Sequence, residues 1–102
     1  MFNTLEGVRE QTYNMCVSAI TRDGLQIQFV RSGQPGIMEH MAELRMIAVK
    51  QNGRALCFIR QNQTLELCVE AVLSNGTNML FVNTELQNDV SNAVNIILLN
   101  PL

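Results

Sequence analysis

The stretch "ITRDGLQIQFV", Ile20–Val30, decides the fold that this sequence predicts. Its second half alternates in polarity, with Leu25, Ile27 and Phe29 on one side and Gln26 and Gln28 on the other. This two-residue period is typical of a half-buried β-strand. The preceding Asp-Gly pair supplies the positive φ that a tight hairpin turn needs. The stretch therefore predicts a hairpin whose second strand, 25–30, lies at a sheet edge and is open to pairing with another chain.

The composition restricts the class of protein. Its 102 residues, 47% of them hydrophobic and 16% charged, suit one globular domain spanning 1–102. The net charge of −2 offers no basic surface for nucleic acid, and no apolar run is long enough to insert into a membrane. The sequence begins with neither a basic segment nor an apolar one, so no secretory leader is expected and the predicted location is cytoplasmic.

The rest of the chain adds a long helix and further strands to the hairpin. From Ile37 the apolar period becomes that of a helix that is apolar on two faces. Around Gly53 two interpretations stay open: a helix bent or interrupted there, which we favour, or a short strand over 55–59. The segment 85–92 is either a loop or a short helix, and no internal repeat is apparent. The predicted order is a helix at 4–12 capped by Asn3, strands at 13–21 and 25–30, the central helix, and strands at 64–73, 78–84 and 93–100.

No pattern in the sequence predicts catalysis. His40 is the only histidine, and the three cysteines form no CxxC pair, so neither a nucleophile with its base nor a metal site is expected. The glycines form no nucleotide-binding loop. We therefore predict no catalytic residue, no metal and no cofactor, and a small enzyme is the least favoured class. Several methionines offer adaptable apolar surface to a protein partner: Met38, Met41, Met46 and Met79.

The predicted order of elements is similar to that of the roadblock family of dynein light chains. "CVSAITRDGLQIQF" resembles the family's strand, turn and second strand, and "QPGIMEHMAEL" resembles the start of its central helix. "RQNQTLEL" resembles the exit from that helix into the third strand, and "VNIILLNP" resembles the last strand. The resemblance covers about 4–101. It implies an α/β (α+β) fold of order α-β-β-α-β-β-β, with the central helix packed on one face of a five-stranded, antiparallel-rich sheet.

The resemblance also implies a function. Such domains form a homodimer, or a heterodimer with a paralogue, and act as non-catalytic adaptors. The expected partner is a segment of the dynein intermediate chain in microtubule-based transport, which places the protein at the cytoskeleton in the cytoplasm. The alternative is a scaffold or regulator of a small Ras-like GTPase, of the Ragulator type or the bacterial polarity type. The expected dimer interface lies on the second strand and the central helix: Gln26, Gln28, Val30, Met38, Ala42, Arg45, Met46 and Val49.

Overall fold

The computed structural model describes residues 4–99, and all regular secondary structure in that range is helical. Four α-helices alternate with short 3-10 helices. In chain order these are α1 (Tyr13–Arg22), η1 (Gly24–Phe29), η2 (Met38–His40), α2 (Met41–Gln51), η3 (Gly53–Phe58), α3 (Leu65–Ser74), η4 (Gly76–Phe81) and α4 (Thr84–Leu99). No helix in this described range is long and apolar enough to cross a membrane.

The predicted α/β fold is wrong. Between residues 4 and 99 the structure contains no β-strand, so the five-stranded roadblock-like sheet does not form there. The segments predicted as strands lie in α1, η1, α3, η4 and α4. The predicted first helix at 4–12 consists of turns and irregular backbone, and its expected cap, Asn3, lies outside the described residues. With no strand at 25–30, dimerisation through a continuous sheet has no structural basis in the described residues.

Helix α3 shows why an alternating sequence folds into a helix here. The Thr64 side chain accepts a hydrogen bond from the Leu67 backbone N–H and so caps its N-terminus. The buried side chains follow a helical spacing rather than an alternating one: Leu67, Cys68, Ala71 and Val72. Leu65 and Leu73, which alternation would place inside, are 42% and 41% exposed. An alternating sequence can therefore form this helix, but the alternation does not predict which of its side chains are buried.

The second half of the stretch Ile20–Val30 forms the 3-10 helix η1, which also begins at a side-chain cap. The Asp23 side chain accepts a hydrogen bond from the Leu25 backbone N–H at 3.0 Å, and this starts η1 directly after α1 ends. The two buried positions of η1, Gly24 and Ile27, are three residues apart, which is the period of a 3-10 helix. Gln28, at 3.0 Å from the Leu25 carbonyl oxygen, donates within the same helix.

The chain contains an internal repeat, contrary to the sequence prediction. Three units, 11–30 (unit 1), 40–59 (unit 2) and 63–82 (unit 3), each contain an α-helix, an Asp-Gly or Asn-Gly pair and a 3-10 helix that ends in phenylalanine. A β-branched residue follows each phenylalanine. Units 1 and 3 also share a Gln-Thr pair before the helix and a Cys-Val pair within it. In all three units the Asx side chain accepts a hydrogen bond from the backbone N–H two residues on.

The units stack to form two layers over one hydrophobic cluster. Helices α1 to α4 pack against one another in chain order, and η1, η3 and η4 form the second layer in the same order. The stack measures 44 × 25 × 21 Å. Close approach of successive units requires glycine: a Cβ at Gly24 would lie under 3.0 Å from the Ala48 carbonyl oxygen, and a Cβ at Gly53 would lie 3.0 Å from that of Ala71. Each such contact joins one unit to the helix of the next.

In the second half of the chain one prediction is confirmed, and the alternatives left open for 85–92 are decided. The central helix exists as α2 and ends at Gln51, and η3 begins at Gly53, so the helix is interrupted at the glycine as favoured. The segment 85–92 is helical and belongs to α4. This helix is longer than α1, α2 and α3, and it contains no Asx-Gly pair of the kind that follows each of them. Its last turn exposes four apolar side chains: Ile96, Ile97, Leu98 and Leu99.

Candidate binding site

A buried glutamine closes unit 1. Gln11 is only 3% exposed, and its Nε2 donates to the Phe29 carbonyl oxygen at 2.8 Å. Its Oε1 accepts from the Arg31 backbone N–H at 2.9 Å and from the Cys16 thiol at 3.5 Å. The amide therefore satisfies both backbone groups at the exit of η1, as a neighbouring strand would. We call this arrangement the glutamine clamp.

Unit 3 has the same clamp. The Nε2 of Gln63 donates to the Phe81 carbonyl oxygen at 2.8 Å, and its Oε1 accepts from the Asn83 backbone N–H at 2.8 Å. The Cys68 thiol donates to the same oxygen at 3.4 Å. Gln63 also donates to the Ile59 carbonyl oxygen at 2.8 Å, which ties unit 3 to unit 2. The shared sequence of units 1 and 3 therefore encodes a shared set of hydrogen bonds.

Unit 2 lacks the clamp. In the sequence of unit 2, His40 stands at the position of the glutamine and Arg45 at the position of the cysteine. The Phe58 carbonyl oxygen and the Arg60 backbone N–H, which correspond to the clamped groups, form no hydrogen bond with any described residue. The Arg45 guanidinium likewise has no hydrogen bond or ion pair among the described residues. Unit 2 thus presents one acceptor, one backbone donor and one cation that have no partner among residues 4–99.

These groups border a cavity of about 670 Å³ between units 1 and 2, which we call the first cavity. Its lining combines apolar side chains with amides and two arginines. The lining residues that matter here are Met41, Arg45, Cys57, Phe58, Arg60 and Gln28. Phe58 is 44% exposed, unlike the partly buried phenylalanines of the other units. The first cavity therefore lies where the glutamine clamp is missing.

Two further cavities adjoin the first. A second cavity of about 500 Å³ lies between units 2 and 3 and shares Cys57 and Arg60 with the first. A third cavity of about 400 Å³ lies between the N-terminal segment and unit 1 and shares Gln28, Val30 and Ser32 with the first. The three cavities follow the ends of η1, η3 and η4 in order. We call this row of cavities the exit edge.

The structure distributes the predicted interface residues over several environments. Gln28, Val30 and Arg45 line the first cavity, so part of the predicted set does lie together. Gln26 is engaged within the chain, because its Oε1 accepts from the Thr4 hydroxyl and the Leu5 backbone N–H. The other members lie on or near α2: Met38 and Ala42 are exposed, Met46 is half-buried and Val49 is fully buried in the core. The predicted set contains neither Phe58 nor Arg60, whose place at the first cavity follows from the repeat.

The three cysteines differ in environment. Cys16 and Cys68 are fully buried, and burial raises the pKa of each thiol above its ordinary value of 9.0. Cys57 is half-buried and lines both the first and second cavities. It is therefore the thiol that a reagent entering the exit edge would meet.

The buried thiols make stability fall at alkaline pH. Because their folded-state pKa is raised, Cys16 and Cys68 contribute stability that is fully present below pH 9 and is lost as the pH rises above it. Each thiol contributes at most about 1.4 kcal/mol per pH unit. Urea denaturation from pH 8 to 10 checks this. We expect Cys68→Ala to reduce the slope; equal slopes in this variant and the parent protein would contradict the prediction.

The only histidine lies away from the exit-edge cavities, on the surface between α1 and α2. The Tyr13 hydroxyl donates to the Glu43 carboxylate, and this hydrogen bond raises the pKa of the tyrosine, with burial and the negative charge of Glu43 adding to the effect. The His40 and Tyr13 rings have centroids 4.5 Å apart. The residues described by the structure contain no group of side chains able to hold a metal ion.

The fold and the exit edge place the chain in the structural class of short helical-repeat stacks. Comparison with protein-family models, with curated proteins and with solved structures finds no match. The resemblance to the roadblock family stays a prediction, and the described fold differs from the one that it implies.

Proposed function

We propose that this chain is a non-catalytic interaction module that holds an extended segment of another protein along the exit edge. The observation that carries the proposal is the continuity of the three cavities, since neighbouring cavities share lining residues. Stacked repeats offer elongated surfaces of this kind, and an extended segment follows them better than a globular ligand does. The proposal keeps the adaptor role predicted from the sequence and replaces its sheet-edge mechanism.

The chemistry of the exit edge supports a peptide as its occupant. Phe58 and Leu80 are 44% and 84% exposed and line the first and second cavities, where they offer apolar contacts to side chains. Between them, the Phe58 carbonyl oxygen and the Arg60 backbone N–H, which have no partner in the described part of the chain, offer hydrogen bonds to a main chain or a polar side chain. The dynein intermediate chain and a Ras-like GTPase, as named partners, stay predictions that no feature of the described residues favours.

Protection of Cys57 tests the proposal. The full chain is alkylated with N-ethylmaleimide in the presence of a library of acetylated, amidated heptapeptides, and the modified cysteine is identified by mass spectrometry. A peptide lying along the exit edge covers Cys57, so at ten times its Kd the modification slows about tenfold. Cys16 and Cys68 are fully buried, so they do not compete for the reagent.

A relocated thiol provides the control. In the double variant Cys57→Ser, Ser91→Cys, the reactive cysteine lies on the exposed face of α4, away from the three cavities. The same peptides should leave its modification rate unchanged. If no peptide of the library slows modification of Cys57, or if both thiols are protected equally, an exit-edge binding site is wrong.

A further inference from the structure

On the basis of the proposed function, we propose that the first cavity anchors a carboxylate side chain, aspartate or glutamate, carried by the bound segment. The carboxylate accepts from the Arg60 backbone N–H and from the Arg45 guanidinium. The backbone N–H of the segment donates to the Phe58 carbonyl oxygen. The ligand thereby occupies in unit 2 the place that a glutamine of the chain itself occupies in units 1 and 3.

The glutamine clamps of units 1 and 3 show which hydrogen-bonding groups a ligand must supply in unit 2. In both units an oxygen accepts from the backbone N–H two residues after the phenylalanine, at 2.9 and 2.8 Å. In both units an N–H donates to the phenylalanine carbonyl oxygen at 2.8 Å. The same two backbone groups in unit 2 have no partner among the described residues. A ligand with an acceptor oxygen and a nearby N–H therefore matches them.

Because Arg45 replaces the cysteine in unit 2, a negatively charged ligand oxygen is favoured there. In units 1 and 3 the second donor to the glutamine oxygen is a thiol, a weak and neutral donor that suits a neutral amide. Arg45 is permanently charged, lines the first cavity and has no counter-ion among the described residues. A hydrogen bond between arginine and a carboxylate is about twice as strong as one between neutral groups. The first cavity therefore favours a carboxylate over a carboxamide.

The second cavity sets a condition on the neighbouring residue of the ligand. Glu85 lines this cavity, together with the exposed Leu80. A second acidic residue there would meet the charge of Glu85, so an apolar or basic residue fits better. The preferred segment thus carries one acidic residue at the first cavity and an apolar residue toward unit 3, rather than a run of acidic residues.

Titration of the full-length, ¹⁵N-labelled chain tests the carboxylate anchor. The probes are three libraries of acetylated, amidated heptapeptides with random apolar and polar flanks and a fixed central residue: glutamate, glutamine or lysine. We expect the glutamate library to yield binders about tenfold tighter than the glutamine library, as when a charge-assisted hydrogen bond replaces a neutral one. The Arg60 amide signal should shift most, followed by those of Phe58 and Cys57.

Two variants locate the preference. Arg45→Met keeps an unbranched apolar stem and removes the guanidinium with its charge, so it should abolish the preference for glutamate over glutamine. Arg54→Met removes the same charge at an exposed position outside the cavities and should leave the preference intact. The amide spectrum of each free variant reports whether it is folded.

The outcomes separate this inference from the proposed function. Equal binding of the glutamate and glutamine libraries, or a preference that survives Arg45→Met, would overturn the carboxylate anchor while peptide binding at the exit edge stands. If no library shifts the amides of the residues lining the three cavities, both the anchor and the proposed function are wrong.

Discussion

Gly24→Ala is expected to destabilise the protein by about 2–3 kcal/mol, whereas Gly76→Ala, at the same place in unit 3, changes stability by less than about 1 kcal/mol. A Cβ at Gly24 would lie too close to the Ala48 carbonyl oxygen, which is backbone of α2 and cannot rotate away. Around Gly76 no heavy atom lies within 4 Å of the added Cβ. The difference in stability between the two variants therefore measures the contact between units rather than the general effect of replacing a glycine.

Thermal unfolding followed by circular dichroism checks this pair of variants. For a chain of this length 1 kcal/mol corresponds to about 4–8 °C in Tm, so Gly24→Ala should lower Tm by roughly 10–20 °C. Gly76→Ala should leave Tm within a few degrees of the parent value. Similar Tm values for the two variants would contradict the stacking of unit 1 on α2.

Gln11→Ala is expected to cost about 2–4 kcal/mol, since it removes the glutamine clamp of unit 1. The substitution leaves the Phe29 carbonyl oxygen and the Arg31 backbone N–H without their partners and opens a cavity at a position that is 3% exposed. Gln28→Ala is the matched control, because this glutamine is exposed and its side chain donates to the Leu25 carbonyl oxygen within η1. Its expected cost is under about 0.5 kcal/mol.

Urea denaturation of both variants at pH 7 gives the comparison. The midpoint of Gln11→Ala should fall well below that of Gln28→Ala, with a similar dependence on urea concentration if the fold is kept. A Gln11→Ala midpoint equal to that of Gln28→Ala would mean that the glutamine clamp contributes little. In that case the absence of a glutamine clamp in unit 2 would no longer support a binding site there.

The positions of the Asx-Gly pairs as interruptions were predicted correctly, but the strands were wrong, because a two-residue period was assigned to segments that are helical. The Asp-Gly and Asn-Gly pairs do interrupt the chain at the expected places, but they lead from an α-helix into a 3-10 helix instead of reversing a strand. In "DGLQIQF" the apolar residues at 25, 27 and 29 predicted a strand. The buried side is instead marked by Gly24 and Ile27, which are three residues apart, as a 3-10 helix requires. Short apolar stretches allow both interpretations, and packing decides between them.

Comparison of 11–30 with 63–82 would have found the repeat from the sequence alone. The shared Gln-Thr, Cys-Val and Asx-Gly pairs recur at the same offsets. The replacement of glutamine and cysteine by His40 and Arg45 in unit 2 would then have stood out as a departure. What those residues mean needed the structure, because no pattern in the sequence shows that the glutamine binds the backbone across unit 1.

Hydrogen exchange at three equivalent backbone amides tests the central claim most directly, namely that unit 2 is a repeat whose glutamine clamp is missing. Arg31 and Asn83 donate their backbone N–H to Gln11 and Gln63, and Arg60 has no such acceptor among the described residues. In the free protein we predict exchange at Arg31 and Asn83 at least about tenfold slower, after correction for sequence, than at Arg60. Equal protection of all three amides, or greater protection of Arg60, would contradict the account.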